Sequence, residues 1–388
     1  MPVINRVSEF VSDIARWRQD FHEHPELLFD VNRTAAIVAE KLKYFKCDEV
    51  VTGVAQTGVV AVIHGRENRS GKRVALRADM DALPLDELGD LPYRSKTPGK
   101  MHACGHDGHT AMLLGAARYL AETRNFDGTA VLIFQPAEEG GGGGKMMIEE
   151  GIMERFAIDE VYSMHNMPGI PVGAFAIRAG AMMAAADRFK ILVEGKGTHA
   201  AMPHQGTDTI LASCHLVTAL QSIVSRNVNP LEAAVVSVGR ISSGETFNVL
   251  PQHAEILGTV RTLSPEVRDD IEIRVRSVAD HVTATFGATV QVEYMRGYPV
   301  LMNDAASARF MQEAACDVAG SNAVDGQAVP IMGSEDFSFM LEERPGAYIF
   351  LGNGDSAALH HPAYDFNDAA IPFGVSLWAR LVEKRMPV

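Results

Sequence analysis

The chain has 388 residues, of which 47% are hydrophobic and 22% charged, as in ordinary globular proteins. Its 35 basic and 49 acidic side chains give a formal net charge of −14, which argues against binding to the phosphate backbone of nucleic acids. The length exceeds the roughly 250–300 residues at which one hydrophobic core stops growing, so we expect two domains.

The N-terminal segment is predicted to be helical, because apolar side chains recur at three- and four-residue spacing from Val7 to Trp17. It has no basic patch followed by an apolar stretch, so we expect no secretory signal. A second helix is predicted over 34–45, after the turn at His24 and Pro25. The four cysteines are scattered and form no C-x-x-C pair, which argues against a disulfide framework. No apolar run reaches the ~18–20 residues needed to cross a bilayer, so we expect a cytoplasmic protein that does not bind membranes.

The next part of the chain alternates between β-rich and helix-like runs. Strands are predicted over 58–65, 73–79 and 129–136, and a helix is predicted over 110–122. The last of these strands is almost entirely apolar, as buried parallel strands are. The alternation predicts an α/β domain with a mixed, largely parallel sheet flanked by helices.

The pattern changes near residue 185. Strands are predicted over 188–194, 233–241, 253–261 and 289–295, with helices over 208–226 and 265–285. This β-α-β-β-α-β order resembles a ferredoxin-like α+β sandwich. We therefore expect residues 1–185 and 298–388 to form a catalytic domain, and residues 186–297 to form an inserted domain that acts as a lid or in dimerisation.

Three familiar catalytic or binding motifs are absent. The five-glycine run Gly140–Gly144 is not a phosphate-binding loop, because Glu139 and Met146 stand where such a loop needs Gly and Ser or Thr. The segment 22–26 is not the zinc motif H-E-x-x-H, because Glu26 stands in place of the second histidine. No G-x-S-x-G elbow of a serine hydrolase occurs.

The strongest signal is a set of polar residues at the ends of predicted strands, where open α/β sheets bind ligands. They are Asp79, Asp81, Cys104, His106, His109, Glu138, Glu139, His165 and His360. Each one alone has an ordinary explanation, since a single histidine is more often a surface or core residue than a ligand. Together, thiolate, imidazole and carboxylate groups suit Zn, Mn, Co or Ni. Of two adjacent glutamates, one can bind metal while the other takes a proton from water.

These motifs, in this order, resemble those of the M20 family of metallopeptidases and amidohydrolases. The closest resemblance is to the branch of hippurate hydrolases, N-acyl-amino-acid amidohydrolases and auxin-conjugate hydrolases. It runs from FHEHPEL at 21–27 to LHHPAYDFND at 359–368, and so covers nearly the whole chain.

The resemblance implies a centre of two divalent metal ions (Zn, Mn, Co or Ni). Its ligands would be Cys104, His106, Glu139, His165 and His360. Cys104 would bridge the ions as a thiolate. Glu138 would be the general base that activates water, and Asp81 would orient a ligating imidazole. Asp79 stands where other members carry a metal-binding histidine, and it is not counted among the ligands.

The inserted domain also carries residues that match the family. His199, in the segment GKGTHAAMP, would stabilise the oxyanion in the active site of a partner subunit, which implies a homodimer formed through this domain. Asn248 and Arg261 would bind the substrate carboxylate. From the residues alone, His199 could also be an ordinary turn histidine, and Arg261 part of a surface ion pair.

The implied function is that of a metal-dependent amidohydrolase. It would cleave N-acyl or N-aroyl amino acids, such as hippurate-like, N-acetyl or indoleacetyl conjugates, into a carboxylic acid and a free amino acid. Two alternatives stay open: a dipeptidase or N-acetyl-diamino-acid deacetylase of the same family, and a catalytically inactive metal-containing binding protein. A thiol-redox enzyme built on Cys104 is the weakest alternative, because no resolving cysteine lies nearby in the sequence.

Overall fold

The structure is a computed structural model that describes residues 3–388. The α-helices are α1 (Asn5–Ser8), α2 (Val11–Glu23), α3 (Asn32–Tyr44), α4 (His106–Thr123), α5 (Gly143–Glu149), α6 (Ile152–Arg155), α7 (Thr209–Ser222), α8 (Pro265–Thr285), α9 (Ala305–Ala319), α10 (Ser338–Glu343) and α11 (Ile371–Arg385). Among the described residues, no helix combines the length and the apolar character that a membrane span requires.

The β-strands alternate with these helices along the chain. They are β1 (Glu49–Val54), β2 (Gly58–His64), β3 (Arg73–Asp79), β4 (Thr129–Gln135), β5 (Glu160–Pro168), β6 (Phe175–Ala176), β7 (Gly180–Met183), β8 (Ala185–Glu194), β9 (Thr198–His199), β10 (Ala234–Ser243), β11 (Val249–Leu250), β12 (His253–Thr262), β13 (Thr289–Arg296), β14 (Leu301–Asn303), β15 (Val324–Asp325) and β16 (Gly346–Gly354).

The chain divides into two compact units. The first contains the residues up to Met182, together with Met302–Val329 and Asp336–Val388, and the second contains Met183–Leu301 and Pro330–Glu335. The expected domain boundaries after residues 185 and 297 stay a prediction. The sequence did not predict that residues 330–335 belong to the second unit.

The first unit is built on an eight-stranded mixed sheet with the strand order β1-β2-β4-β3-β5-β16-β6-β15. Its four central strands, β4, β3, β5 and β16, are parallel, whereas β1 and β2 are antiparallel to their neighbours. Helix α4 packs against β3 and between α2 and α11, so almost all of its side chains are buried. The predicted α/β class with a mixed, largely parallel sheet is confirmed.

The second unit is an antiparallel sheet with the strand order β10-β12-β8-β13, covered by α7 and α8. Strand β8 alternates as a half-buried strand should: Phe189, Ile191 and Val193 belong to the core with the helices, while Arg188 is exposed. The chain order β8, α7, β10, β12, α8, β13 is the predicted β-α-β-β-α-β order.

A buried ion pair joins the first strand of this sheet to its long helix. Asp187 in β8 is 1% exposed, and it accepts hydrogen bonds from Arg268 Nε at 2.9 Å and Arg268 Nη2 at 2.6 Å. The Tyr294 hydroxyl and the Gly297 backbone N–H donate to the same carboxylate, at 3.1 and 3.0 Å. Four donors satisfy the buried charge, so the pair fixes the position of α8 on the sheet.

Removing the Arg268 side chain is expected to destabilise the second unit, because the Asp187 carboxylate would keep a buried charge without its counter-ion. For Arg268→Ala, we expect the free energy of unfolding to fall by about 3–5 kcal/mol, as measured by urea denaturation followed by circular dichroism. The control is Lys190→Ala, since the pair between Lys190 Nζ and Glu255 Oε2, 2.8 Å apart, is exposed to solvent and adds little to stability. Equal losses in the two variants would contradict the role assigned to the buried pair.

Candidate metal centre

The carboxyl ends of the central parallel strands carry most of the predicted site residues. Asp79 is the last residue of β3, and Asp81 follows it. Glu138 and Glu139 lie just beyond the end of β4, and His165 lies near the end of β5. Because β4, β3 and β5 are parallel neighbours, their carboxyl ends meet at one edge of the sheet.

The loop between Cys104 and His106 depends on a glycine. Gly105 has a φ of +91°, and a Cβ at this position would lie 2.2 Å from Asn166 Nδ2. Only glycine adopts this conformation at such a close approach without strain. The turn lets the chain place Cys104 and then enter α4 at His106, so that two predicted ligands two positions apart face the same cluster.

The five predicted metal ligands lie together. The ligand atoms of Cys104, His106 and His165 lie within 4.8 Å of one another, and so do those of Cys104, Glu139 and His360. Cys104 Sγ is 3.4 Å from His165 Nε2, and Glu139 Oε1 is 3.3 Å from His360 Nε2. Glu139 Oε1 is also 3.9 Å from His106 Nε2, which joins the two groups. Cys104 belongs to both groups, as a bridging ligand would.

Hydrogen bonds to backbone carbonyls fix two of the imidazole rings through Nδ1. His106 Nδ1 lies 2.8 Å from the Asp81 carbonyl oxygen, and His165 Nδ1 lies 2.6 Å from the Asn166 carbonyl oxygen. A nitrogen facing a carbonyl must carry the proton, so Nε2 of each ring presents a lone pair when the ring is neutral. His106 Nε2 is buried and has no hydrogen-bond partner. This buried, unpartnered nitrogen fits a metal ligand.

The charges around the cluster favour a cation. Burial, together with Glu139, Glu138 and Asp79, raises the pKa of the Cys104 thiol well above its ordinary value. Burial alone would lower the pKa of His106, but Asp79 and the other carboxylates outweigh it and raise this pKa to about 10. The carboxylates thus favour positive charge at His106 and oppose negative charge on the sulfur. A divalent cation would offset the repulsion between the carboxylates and the sulfur, and so hold Cys104 as a thiolate.

Asp81 acts on the cluster in two ways. It was predicted to orient an imidazole, and it contacts His106 through its backbone carbonyl. Its carboxylate accepts the backbone N–H groups of Glu138 and Glu139, at 2.9 and 3.1 Å. The residue before Glu138, Ala137, has a φ of +56°, so this turn is strained for a non-glycine residue. Asp81 therefore stabilises the strained turn that presents both glutamates.

His360 closes the cluster from the solvent side. Its backbone adopts a φ of +65°, which is uncommon for a residue other than glycine. Its N–H donates to the Ala103 carbonyl at 2.8 Å, which ties the C-terminal loop to the segment before Cys104. Its side chain is 53% exposed, compared with 10% for Glu139.

Two buried residues beside the cluster had no predicted role. His109 belongs to the same strand-end set as the predicted ligands, and Asn166 follows the predicted ligand His165, but the sequence predicts a role for neither. His109 is 2% exposed and Asn166 is fully buried. The available signal was a second histidine only three residues after a predicted ligand, directly before a predicted helix.

In the second unit, the structure brings His199 and Asn248 together. Strands β9 and β11 pair with His199 opposite Val249, the neighbour of Asn248, and all three residues are exposed. His199 Nδ1 accepts the N–H of Ala201 at 3.0 Å. The proton of a neutral His199 ring therefore sits on Nε2, which leaves this nitrogen as a donor.

Arg261 lies at the other end of this unit's sheet. It stands eight residues after His253, the first residue of β12, a span of about 27 Å. Its guanidinium donates to the Thr259 hydroxyl and to the Val260 carbonyl. Burial lowers the pKa of Arg261, although the charge of Asp187 opposes this effect. A half-buried guanidinium with this environment can accept a carboxylate from a ligand.

The chain matches known proteins over almost all of its length. A family model described as peptidase family M20/M25/M40 matches residues 75–384. Hippurate hydrolase of Campylobacter jejuni is 42% identical over 99% of both chains. N-acetyl-L-cysteine deacetylase of Bacillus subtilis is 43% identical over 91% of this chain and 83% of the relative. The crystal structure of a Bacillus subtilis protein, described as a dinuclear metal binding peptidase from the M20 family, is 34% identical, with a TM-score of 0.87 over 98% of this chain and 99% of its own.

Replacing Gly105 is expected to disrupt the cluster more than the fold. In Gly105→Ala, the new Cβ must displace Asn166, so we expect metal affinity to fall at least about tenfold, as measured by competition with a chromogenic chelator. The control is Gly99→Ala, where φ is +74° but no atom lies within 4 Å of the added Cβ. Both variants carry the cost of a positive φ, about 1–2 kcal/mol, and only the first adds a steric clash. Equal metal affinity in the two variants would contradict the role assigned to Gly105.

Proposed function

The chain belongs to peptidase family M20/M25/M40, and on this basis we propose that it hydrolyses the amide bond of N-acyl and N-aroyl amino acids. The products are a carboxylic acid and a free amino acid. The observation that carries the proposal is the convergence of Cys104, His106, Glu139, His165 and His360, with Glu138 beside them. The relatives named hippurate hydrolase and N-acetyl-L-cysteine deacetylase support this substrate class over dipeptides.

The metal centre of the proposal holds two divalent ions. The two ligand groups that share Cys104 support this number, and the mixture of sulfur, nitrogen and oxygen donors supports Zn, Mn, Co or Ni. When bound, such ions act as Lewis acids that acidify water and polarise a carbonyl oxygen.

Glu138 is the proposed general base. Its side chain lies with Glu139 and His106 in a third group of potential ligand atoms, and the residue is 7% exposed. In this role its carboxylate takes a proton from the attacking water and gives it to the departing amine nitrogen. The contact of its backbone N–H with Asp81 fixes the turn from which the side chain of Glu138 extends. Water is the nucleophile, so no acyl-enzyme forms.

Substrate recognition is assigned to the second unit. Arg261 is proposed to bind the substrate carboxylate, with Asn248 as a further polar contact. His199 is proposed to donate its Nε2–H to the oxygen of the scissile carbonyl as negative charge develops there. The exposed position of His199 and the acceptor role of its Nδ1 support this assignment.

The proposal includes a homodimer, which the positions of these residues support. The span of about 27 Å between Arg261 and the start of β12 is far longer than one N-acyl amino acid. The hairpin of His199 and Asn248 adjoins that distant end of the sheet, so one substrate molecule cannot contact both sets of residues in a single chain. We therefore assign the hairpin of His199 and Asn248 to the active site of a partner subunit, with the inserted domain as the interface.

A cytoplasmic location completes the proposal. The four cysteines, Cys47, Cys104, Cys214 and Cys316, are all free thiols. Free thiols without disulfides are typical of proteins in reducing compartments.

Removal of the proposed base is expected to abolish hydrolysis and leave the metals bound. For Glu138→Ala, we expect kcat to fall by about 10²–10⁴-fold on benzoyl-, acetyl- and indoleacetyl-amino acids, with metal content measured by elemental analysis. The control is Glu149→Ala, which removes an exposed glutamate paired with Lys145. A Glu138→Ala protein with full metal content and the parent rate would refute the mechanism. Dipeptides in the same panel test the dipeptidase alternative, and no turnover of any substrate by the parent protein would favour a binding protein.

Mixed dimers test whether His199 acts in the partner subunit. Glu138→Ala and His199→Ala homodimers are each expected to be inactive. After the two are unfolded and refolded together in equal amounts, half of the dimers are mixed, and each mixed dimer has one site with both Glu138 and a donated His199. We therefore expect the mixture to recover about a quarter of the parent activity. No recovery would contradict action in the partner, provided that size-exclusion chromatography shows that the mixture refolds to the size of the parent.

A further inference from the structure

A buried carboxylate–imidazole pair lies directly behind the proposed metal ligands. Asp79 and His109 are 1% and 2% exposed, and His109 Nδ1 lies 2.6 Å from Asp79 Oδ1. The other carboxylate oxygen of Asp79 accepts a hydrogen bond from Arg77 Nη1 at 2.7 Å. Neither residue has a place in the proposed chemistry, although both lie within the cluster's surroundings.

Both ring nitrogens of His109 are engaged. The backbone N–H of Asn166 donates to His109 Nε2 at 2.9 Å, so this nitrogen is an acceptor. The ring proton therefore sits on Nδ1 and points at Asp79. A neutral histidine in this state has no lone pair left to bind a metal ion without breaking one of these bonds.

Asn166 connects the pair to two proposed ligands. Its side-chain Nδ2 donates to the Cys104 carbonyl at 2.7 Å, and its own carbonyl accepts from His165 Nδ1 at 2.6 Å. The Tyr364 hydroxyl donates to its side-chain oxygen. Asn166 therefore sets where Cys104 begins its turn and how the His165 ring is oriented.

Asp79 is suited to anchor this arrangement, because a buried arginine holds its carboxylate from behind. Arg77 is buried between Asp79 and Asp336, and its Nη2 lies 2.9 Å from Asp336 Oδ1. The two oxygens of the Asp79 carboxylate thus accept N–H groups from two different side chains, Arg77 on one and His109 on the other.

We infer that Asp79 and His109 are positioning residues, which hold Asn166 and through it fix Cys104 and His165 at the geometry that metal binding needs. The inference rests on the metal centre of the proposed function, but not on its substrate. The competing role is direct ligation, since ligand atoms of Asp79, His106 and His109 also lie within 4.8 Å of one another. The two roles predict different losses when His109 is replaced. A positioning role predicts weaker metal affinity with the same number of bound ions, whereas direct ligation predicts that one bound ion is lost.

Three substitutions of His109 separate these roles. His109→Ala removes both contacts, His109→Asn offers an amide near the former Nδ1, and His109→Gln offers an amide near the former Nε2, which faces Asn166. The readouts are the dissociation constant for Mn²⁺ and Zn²⁺, from competition with a chelator, and the number of ions bound at saturation. We expect affinity to fall about 10–100-fold in His109→Ala, with two ions still bound at saturation. We expect His109→Gln to restore most of the affinity, and His109→Asn to restore less.

The control for a lost buried hydrogen bond is Ser163→Ala. Ser163 is fully buried in β5, two residues before His165, and its hydroxyl donates to the Arg77 carbonyl at 3.3 Å. This variant is expected to keep the parent metal affinity. Circular dichroism checks that each variant is folded, and if His109→Ala does not fold, the comparison of His109→Gln with His109→Asn carries the test.

Three results would overturn the inference. The first is parent-like metal affinity in His109→Ala, or in both His109→Gln and His109→Asn. The second is that a His109 variant binds one ion fewer than the parent at saturation. The third is an equal loss of metal affinity in His109→Gln and His109→Asn. Failure of the proposed function looks different: the parent protein binds two ions and shows the His109 effects, yet hydrolyses no N-acyl amino acid.

Discussion

Buried charge is the constraint on which the site depends. Asp79, Asp81, Glu138 and Glu139 meet at one edge of a parallel sheet, in surroundings that exclude most water. Carboxylates buried this closely repel one another unless positive charge lies between them. Arg77 supplies part of that charge from behind, and the raised pKa of His106 shows that the front of the cluster also favours a positive group. In the proposed function, divalent metal ions would neutralise the negative charge that Arg77 and His106 do not.

The sequence predicted secondary structure best where residue type alone indicates burial. The apolar strands β2, β3 and β4 were predicted within a residue or two, because a continuous apolar run flanked by turns leaves few other interpretations. Strand β1 was not predicted, because it is the edge strand and alternates irregularly between exposed and half-buried side chains. Helix α4 begins at His106, four residues before the predicted start, because Gly105 ends the loop in a left-handed conformation that sequence periodicity does not report.

Within the site, side-chain identity was predictable and hydrogen bonding was not. Sulfur, imidazole and carboxylate groups at strand ends indicated a metal site, and the resemblance to the M20 family named the expected ligands among them. The contact of the Asp81 carbonyl with His106, and the contact of its carboxylate with the Glu138 and Glu139 amides, depend on a turn whose shape is visible only in three dimensions. The contacts of His109 were not predictable for a similar reason, since its partners Asp79 and Asn166 lie 30 and 57 residues away along the chain.

The exposure of His360 has a consequence for how the centre would be assembled. The other proposed histidine ligands are buried and held by backbone carbonyls, whereas His360 comes from the C-terminal loop and is in contact with solvent. Rotation of this one side chain would uncover the cluster while the other proposed ligands stay in place. Ion loading and ion loss would then be unequal: an ion held by His360 would exchange quickly with the medium, and one held by the buried ligands would be kinetically trapped.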